Sequence, residues 1–477
     1  MYFNIMIAVN RKVIYAAIFC FVSFAVNAQI DAHYWTHQYG AKGLLLNGAV
    51  IASSDDETAI FYNPACMGQG NNLGFVFSFL TPTYSSLETT NFTGNGSSFK
   101  DEDLGFSPGF AAVRIKPFKT DKIILGVASF QRLSSNISYK DRTVLPVENF
   151  YEIFYLADVE FKRELSQEWL GVGLSYNIMD NLGVGISQYS IWHDESLQFD
   201  FKKEILLTED PETLALGWRS DFGYGINAYG GWLTKLGFIW GADNFKLGLT
   251  YTSPSYGFIH KSASYNFDEE RITATDIQVQ SNQKDTPLHR YKTPASFGLG
   301  FEYRFDDLTV SFSTEYFKGL KEYTLFEETD DPYEGLAGSG FEKSILVSTS
   351  NNSVTNFALG FQRKVNEKLT WIWGFRTDYN QNNNLNINDI ADYLSSSPSI
   401  YHVSGGARFI GKNNELSIGF DYGYGKKSGG RQLSDLSNFN IFNFYEFSSQ
   451  NNVNTIAHSL MIFLTYDFLF GKIREAE

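Results

Sequence analysis

From residue 73 onward the chain repeats one pattern. Over about ten residues at a time, large apolar side chains alternate with small or charged ones. Phe297-Gly298-Leu299-Gly300-Phe301-Glu302-Tyr303-Arg304-Phe305 is the clearest case. The same period runs through Leu170–Tyr176, Leu182–Ile186, Leu369–Tyr379 and Leu416–Tyr424. Successive strand side chains point to opposite faces, so each segment has one greasy face and one small or polar face.

A soluble sandwich would alternate as well. Three features favour a barrel in a membrane. The segments have the length that crosses a bilayer at a tilt, roughly 9–11 residues. Aromatic residues crowd their ends (Tyr251, Phe305, Tyr316, Tyr379, Tyr422, Tyr424, Phe468 and Phe470), as interface girdles require. Beyond the N-terminus, no apolar run reaches the roughly 18 residues of a spanning helix. Aromatic residues form 17% of the chain and charged ones 19%, which excludes a disordered chain. Two cysteines exclude a disulfide scaffold. With 38 basic against 53 acidic residues the net charge is -15, a poor surface for nucleic acid. Lys202-Lys203 and Lys426-Lys427 are isolated pairs.

Residues 1–28 read as an export signal. Arg11 and Lys12 precede an apolar run from Val13 to Val26, and Val26-Asn27-Ala28 supplies small residues for cleavage before Gln29. Cys20 leaves with the signal, and Cys66 alone cannot form an internal disulfide.

Six short links rich in Gly, Asn and Asp join alternating segments near residues 117–121, 179–181, 241–244, 305–307, 365–368 and 411–414. Read as hairpin turns, they give twelve strands. Leu73–Thr81 before them and Ile456–Phe470 after them make fourteen. The expected fold is an all-β, 14-stranded antiparallel transmembrane β-barrel over 73–470, with both termini periplasmic and a polar tail over 471–477. Seven long connections lie on the other side, long enough to be binding or gating surfaces. In the second, Val147, Phe150, Tyr151, Phe154 and Phe161 recur at helical spacing. They predict an amphipathic helix whose apolar stripe either packs on neighbouring loops or, through Phe150, Tyr151 and Phe154, forms one wall of a ligand groove. Asp210-Pro211-Glu212 predicts the start of another short helix. The third strand is expected over Ile123–Gln131, with Gly126 as a weak point.

Residues 29–72 do not read as a strand and are too apolar for a free tail. A barrel of this size has room inside, so the segment is a candidate plug. Its Gly40-Ala41 and Gly48-Ala49 steps, Asp55-Asp56, and above all Ala59-Ile60-Phe61-Tyr62-Asn63-Pro64-Ala65 resemble the N-terminal hatch of the outer-membrane long-chain fatty-acid and toluene transporter family. Cys66-Met67 departs from that family's continuation, and so does the polar tail after Phe470. The resemblance implies fourteen strands, a lumenal hatch whose Asn-Pro-Ala element is Asn63, Pro64 and Ala65, and passive uptake of hydrophobic solutes. It also implies capture by extracellular loops and sideways exit into the bilayer beside the third strand. Asn-Pro equally favours a simple turn.

Catalytic signals are weak. The seven histidines are scattered, and His33 and His37 lack a third metal ligand. Gly223-Tyr224-Gly225 is strand alternation rather than a dinucleotide loop. No catalytic residue, metal or cofactor is expected. The expected partners are a hydrophobic small molecule or lipid, and the lipids and lipopolysaccharide of a bacterial outer membrane. A barrel serving as a subunit or scaffold of a protein export or assembly complex is the other reading.

Overall fold

The computed structural model describes residues 33–53, 55–69, 72–78, 81–94, 96–107, 109–118, 120–147, 153–207, 214–273, 275–285, 290–324, 348–382, 397–412, 414–437, 439, 444 and 450–472. Residues 1–32 and 473–477, with the expected signal and most of the tail, lie outside them.

Eighteen ladder segments form one sheet that closes on itself, and four pairs of segments are the two halves of single strands, which leaves fourteen strands. They are β1 (Asn72–Ser78 and Thr81–Thr90), β2 (Ser98–Ser107 and Phe110–Ile115), β3 (Ile123–Pro146), β4 (Ile153–Met179), β5 (Leu182–Leu207), β6 (Leu214–Ala242) and β7 (Phe245–Thr252 and Tyr256–Ile272). There follow β8 (Ile277–Asp285 and Ser296–Phe305), β9 (Leu308–Phe317), β10 (Val354–Asn366), β11 (Leu369–Asp378), β12 (Ile400–Ile410), β13 (Asn414–Gly430) and β14 (Val453–Lys472). Each pairs antiparallel with its neighbour, and β1 closes the ring on β14. All six short turns fall where the Gly, Asn and Asp clusters place them.

The outer face carries the apolar half of the alternation. Val172, Leu236, Phe297, Trp371, Phe420 and Ile462 are all exposed. A continuous apolar surface of this kind is foreign to a soluble protein and fits a bilayer. The inner face mixes polar and small residues and glycine with buried aromatic and aliphatic ones such as Phe110, Phe130, Tyr189 and Ile239.

The long connections differ from expectation. Most are not loops but strands continuing past the membrane. β3 and β4 pair without a break of direction up to Pro146 opposite Phe154. The expected amphipathic helix is therefore absent where it can be judged: Phe154 and Phe161 are strand residues, and residues 148–152, with Phe150 and Tyr151, lie outside the described residues. The reason lies in the same residues. Tyr155, Ala157, Val159, Phe161 and Leu165 alternate strictly and are buried on one face, while Asp158, Glu160, Lys162 and Glu164 face out. A sustained period of two prevails over a few apolar residues at helical spacing. Leu214, in the first turn of the second expected helix, instead opens β6, and residues 208–213 are outside the described set. Gly471 and Lys472, assigned to the tail, pair with Leu73 and Asn72.

Within β3–β6 the alternation thus reverses sense. In the membrane, apolar residues face out. Beyond it they face in and form a cluster of Tyr139, Tyr155, Phe161, Phe199, Phe201 and Trp218 with others.

β3 also carries a bulge. Gln131 opposes Glu168 and Leu133 opposes Gln167, so Arg132 is an extra residue. Below it the even-numbered residues Ile124, Gly126, Ala128 and Phe130 face the lumen, and above it the odd-numbered Ile137 and Tyr139 do.

Candidate functional site

The segment preceding β1 is built from short pieces: α1 (Gly40–Leu45), α2 (Ala59–Tyr62) and a 3-10 turn (Pro64–Gly68). Nearly every described residue of it is buried. Its partners lie around the ring. Ser175 of β4 donates to Ala65 O at 3.1 Å, Ser187 of β5 donates to Ile60 O at 3.1 Å, and Ser404 of β12 donates to Leu45 O at 2.8 Å. Ser313 of β9 accepts from Ile51 N at 3.1 Å. Bonds to so many inward faces place the segment inside the barrel.

Glycine lets its backbone come this close. A Cβ on Gly185 would collide with the Pro64–Ala65 peptide, and one on Gly374 with Leu46. Asn63 fastens the same spot: its Oδ1 accepts from Ala65 N at 3.1 Å, capping the turn, and its Nδ2 donates to Ile51 O (2.8 Å) and Phe238 O (3.0 Å). Asn63, Pro64 and Ala65 are thus brought together against β4, β5 and β6. Burial pushes the neighbouring Cys66 thiol up to about 12, so it is inert at neutral pH.

Gly126 is not at a gap. It pairs with Arg114 of β2 and Gly173 of β4, and a Cβ there would stand 2.6 Å from Met67 Sδ. It is a close-approach position for the lumenal segment. Phe154 is exposed rather than lining a groove.

The unpaired edge lies higher. The β2–β3 ladder runs from Ile115 opposite Leu125 to Phe110 opposite Phe130 and stops below the bulge. Above it, Ser98–Ser107 of β2 pairs with β1 alone, and among the described residues β3 forms no ladder with it. At the top, side chains bridge the slit: Phe99 and Phe92 pack on Tyr139, and Thr93 bonds Asp141. Lower down, a small pocket, about 70 Å³ inside its open mouth, reaches the slit. Asp101 of β2 and Asn136 of β3 line it from the two sides, with His33 and Thr36 behind them.

The bulge residue points inward. Arg132 bonds Tyr34 O, and its guanidinium lies 5.8 Å from the Phe61 ring centre. From β6, Lys235 Nζ lies 5.1 Å from the same ring and donates to Phe61 O at 2.8 Å. Phe61 is only partly buried and packs with Tyr39, Tyr62 and Phe130. Two cations therefore flank one aromatic ring in a lumen lined by Tyr39, Phe110, Phe130, Trp169 and Tyr189. Arg132 Nη1, Gln131 Oε1 and His37 Nε2 are buried without a hydrogen-bond partner. Burial, then the charge of Arg132, holds His37 down near 3, so it is neutral. Glu315 of β9 is engaged by Trp35 Nε1 at 2.8 Å and Ser296 Oγ at 2.6 Å. Sequence reasoning missed Arg132 and Lys235. Each is a single cation in a strand, and only the bulge marks one of them.

Opposite the slit, the wall holds the segment with charge. Arg376 of β11 bonds Asn47, Thr36 O (3.0 Å) and His402 Nδ1 (3.0 Å), and lies 3.5 Å from Asp421.

Solved structures supply the comparison. A Pseudomonas aeruginosa FadL homologue is 14% identical, covering 91% of this chain and 99% of that one at a TM-score of 0.55. The P. putida toluene transporter TodX matches with the same identity, coverage and score. The chain shares their fold. The CymD monoaromatic hydrocarbon channel, 13% identical, covers 92% of this chain and 99% of its own at a TM-score of 0.50. No family model matches, and no curated protein does.

Proposed function

We propose that this barrel is an outer-membrane uptake channel for hydrophobic molecules that carry an anionic head, with long-chain fatty acids as the fitting class. The solute enters from the strand-extension end, which faces outward, and passes over a lumenal hatch. It leaves sideways into the bilayer between β2 and β3. The observation that carries this reading is the end of the β2–β3 ladder just below the Arg132 bulge, where that cation keeps an unpartnered donor, with a pocket opening toward the slit a few residues higher on β3, at Asn136.

The chemistry follows. An alkyl chain gains about 25 cal/mol per Å² of surface removed from water, in an aromatic pocket or in lipid alike. Sideways exit spares it the aqueous stage beyond the barrel. A carboxylate in a low-dielectric lumen needs a cationic partner, and Arg132 and Lys235 lie 5.8 Å and 5.1 Å from the centre of the Phe61 ring. The three likened structures are named for hydrocarbons, toluene and FadL, and fold likeness alone does not choose among these solutes; the two cations favour an anionic one.

The test is uptake of labelled oleate and of toluene by cells that lack their own such channel and express this chain. Oleate uptake is expected to fall at least tenfold in Arg132→Met/Lys235→Met, with toluene little changed. In Asp101→Cys/Asn136→Cys, a reversible thiol cross-linker across the slit should stop oleate uptake, and reductant should restore it. Uptake that persists through the cross-link would sink sideways exit. Equal loss of both solutes in the cation variant would sink the anionic preference.

A further inference from the structure

The outward-facing rim has a notch. β12 begins at Ile400, paired with Gly425 of β13. β13 continues to Gly430, and among the described residues its last ones have no β12 neighbour. The notch above the short strand is a pocket of about 510 Å³. That lies in the range of small-ligand sites, roughly 300–1,000 Å³.

Its composition departs from the rest of the surface. Tyr401 forms the lower edge and stands on the outer face, stacked with Phe375 at 6.5 Å between ring centres. Tyr424 is its cross-strand neighbour on the same face. These rings belong to the aromatic girdle, which sits at headgroup level. Lys426, two residues beyond Tyr424 on the same side of β13, and Lys427 line one wall. Lys426 is exposed and has no acidic partner among the described residues. Asn352, Asn380 and Asn382 line the other wall. They are held in place by one another and by the chain: Asn352 Nδ2 donates to Asn382 O at 3.0 Å, Asn382 N to Asn380 Oδ1 at 2.7 Å, and Asn380 Nδ2 to Ser397 O at 2.6 Å. Among the described residues no carboxylate lines the pocket, in a chain whose net charge is -15.

We infer that this notch binds the phosphorylated sugar headgroup of a lipid in the outer leaflet. The site rests on the reading of this end as the outward one. Each part has a role. Tyr401 offers a flat apolar face to a sugar ring. The amides and hydroxyls suit sugar hydroxyls, and the ammonium groups suit phosphate as point charges. The acyl chains run down the apolar outer face below Tyr401 and Tyr424. The height of the site commits it to a lipid rather than to a free sugar phosphate, because its floor is part of the lipid-contacting girdle.

The test is native mass spectrometry on the delipidated barrel in detergent, titrated with lipid A. Dephosphorylated lipid A and inorganic phosphate are the comparison ligands. Saturable retention of lipid A is expected, at least tenfold weaker in Lys426→Gln/Lys427→Gln and in Tyr401→Ala. Lys162→Ala, on the far side of the ring, should bind normally. Heat-dependent mobility on gels shows that each variant is folded. Equal binding by the lysine variant, or by dephosphorylated lipid A, would overturn the phosphate assignment. Displacement by millimolar inorganic phosphate would overturn the lipid. Oleate uptake in the lysine variant separates the two proposals. Uptake that persists while lipid A binding is lost leaves the channel reading standing, and the Arg132 and Lys235 variants test that reading without touching the notch.

Discussion

Gly185 on β5 and Pro64 in the 3-10 turn approach so closely that no side chain fits between strand and turn. The obstacle is backbone, which cannot swing aside as a long side chain can. Gly185→Val is therefore expected to cost at the upper end of the roughly 1–3 kcal/mol typical of overpacking. The measurement is urea unfolding of the detergent-solubilised barrel. Val184→Ala, one residue away on the outer face, is the control and should lie far closer to wild type.

Asn63→Ala removes a cap, about 1 kcal/mol, and leaves the carbonyls of Ile51 and Phe238 short of a donor, about 1–3 kcal/mol more. The loss should be local. Amide hydrogen exchange over residues 59–68 is expected to speed up by at least tenfold while the β9–β13 ladders keep their protection. Uniform loss of protection around the ring would show that the turn is not a separable unit.

Phe420, exposed on the outer face of β13, tests the membrane belt. Phe420→Arg should cost roughly 2–4 kcal/mol if the residue lies near the bilayer midplane, and Tyr424→Arg, nearer the girdle, only about 0–1 kcal/mol. Folding into vesicles across a denaturant series measures both. Equal costs would mean that the belt is misplaced.

Beyond the membrane, Asp200 of β5 sits directly opposite both Glu160 and Asp221. Burial, then the hydrogen bond and charge of Asp221, push its carboxyl up to about 7. The unfolded carboxyl titrates near 3.9. Between those values the folded chain keeps a proton that the unfolded chain has lost, so this contribution to stability falls as pH rises through the window and levels off above it. Unfolding midpoints at pH 5 and pH 8 should differ more in wild type than in Asp200→Asn. An unchanged difference would exclude this carboxyl.

Much of the barrel is legible in the sequence because its rules are local. Asp180-Asn181 and Asp306-Asp307 are turns wherever they fall between alternating segments, and Trp371, Trp373 and Phe375 can share a face only in a strand. The extensions of β3–β6 are harder to read. Their apolar residues face inward, the reverse of the membrane-embedded halves, so Tyr155 to Leu165 looks like a loop with a greasy stripe. Asn63, Pro64 and Ala65 stand out by motif, but what they press against, Gly185 and Gly237, lies more than a hundred residues away. Arg132 and Lys235 carry no signal at all until the ring closes and brings β3 and β6 to the same aromatic ring.

The bulge has a consequence for how such a chain can vary. Glu168 and Gln167 are consecutive on β4, and their partners skip Arg132. Deleting Arg132 would join Gln131 to Leu133 in unbroken alternation, with Phe130 below and Ile137 above still turned inward. Deleting a residue well away from the bulge would instead turn a stretch of the strand inside out. The bulge is thus the place in the strand's middle where a residue, the lumenal arginine included, can be lost or regained in a single step, letting solute preference drift while the wall stays intact.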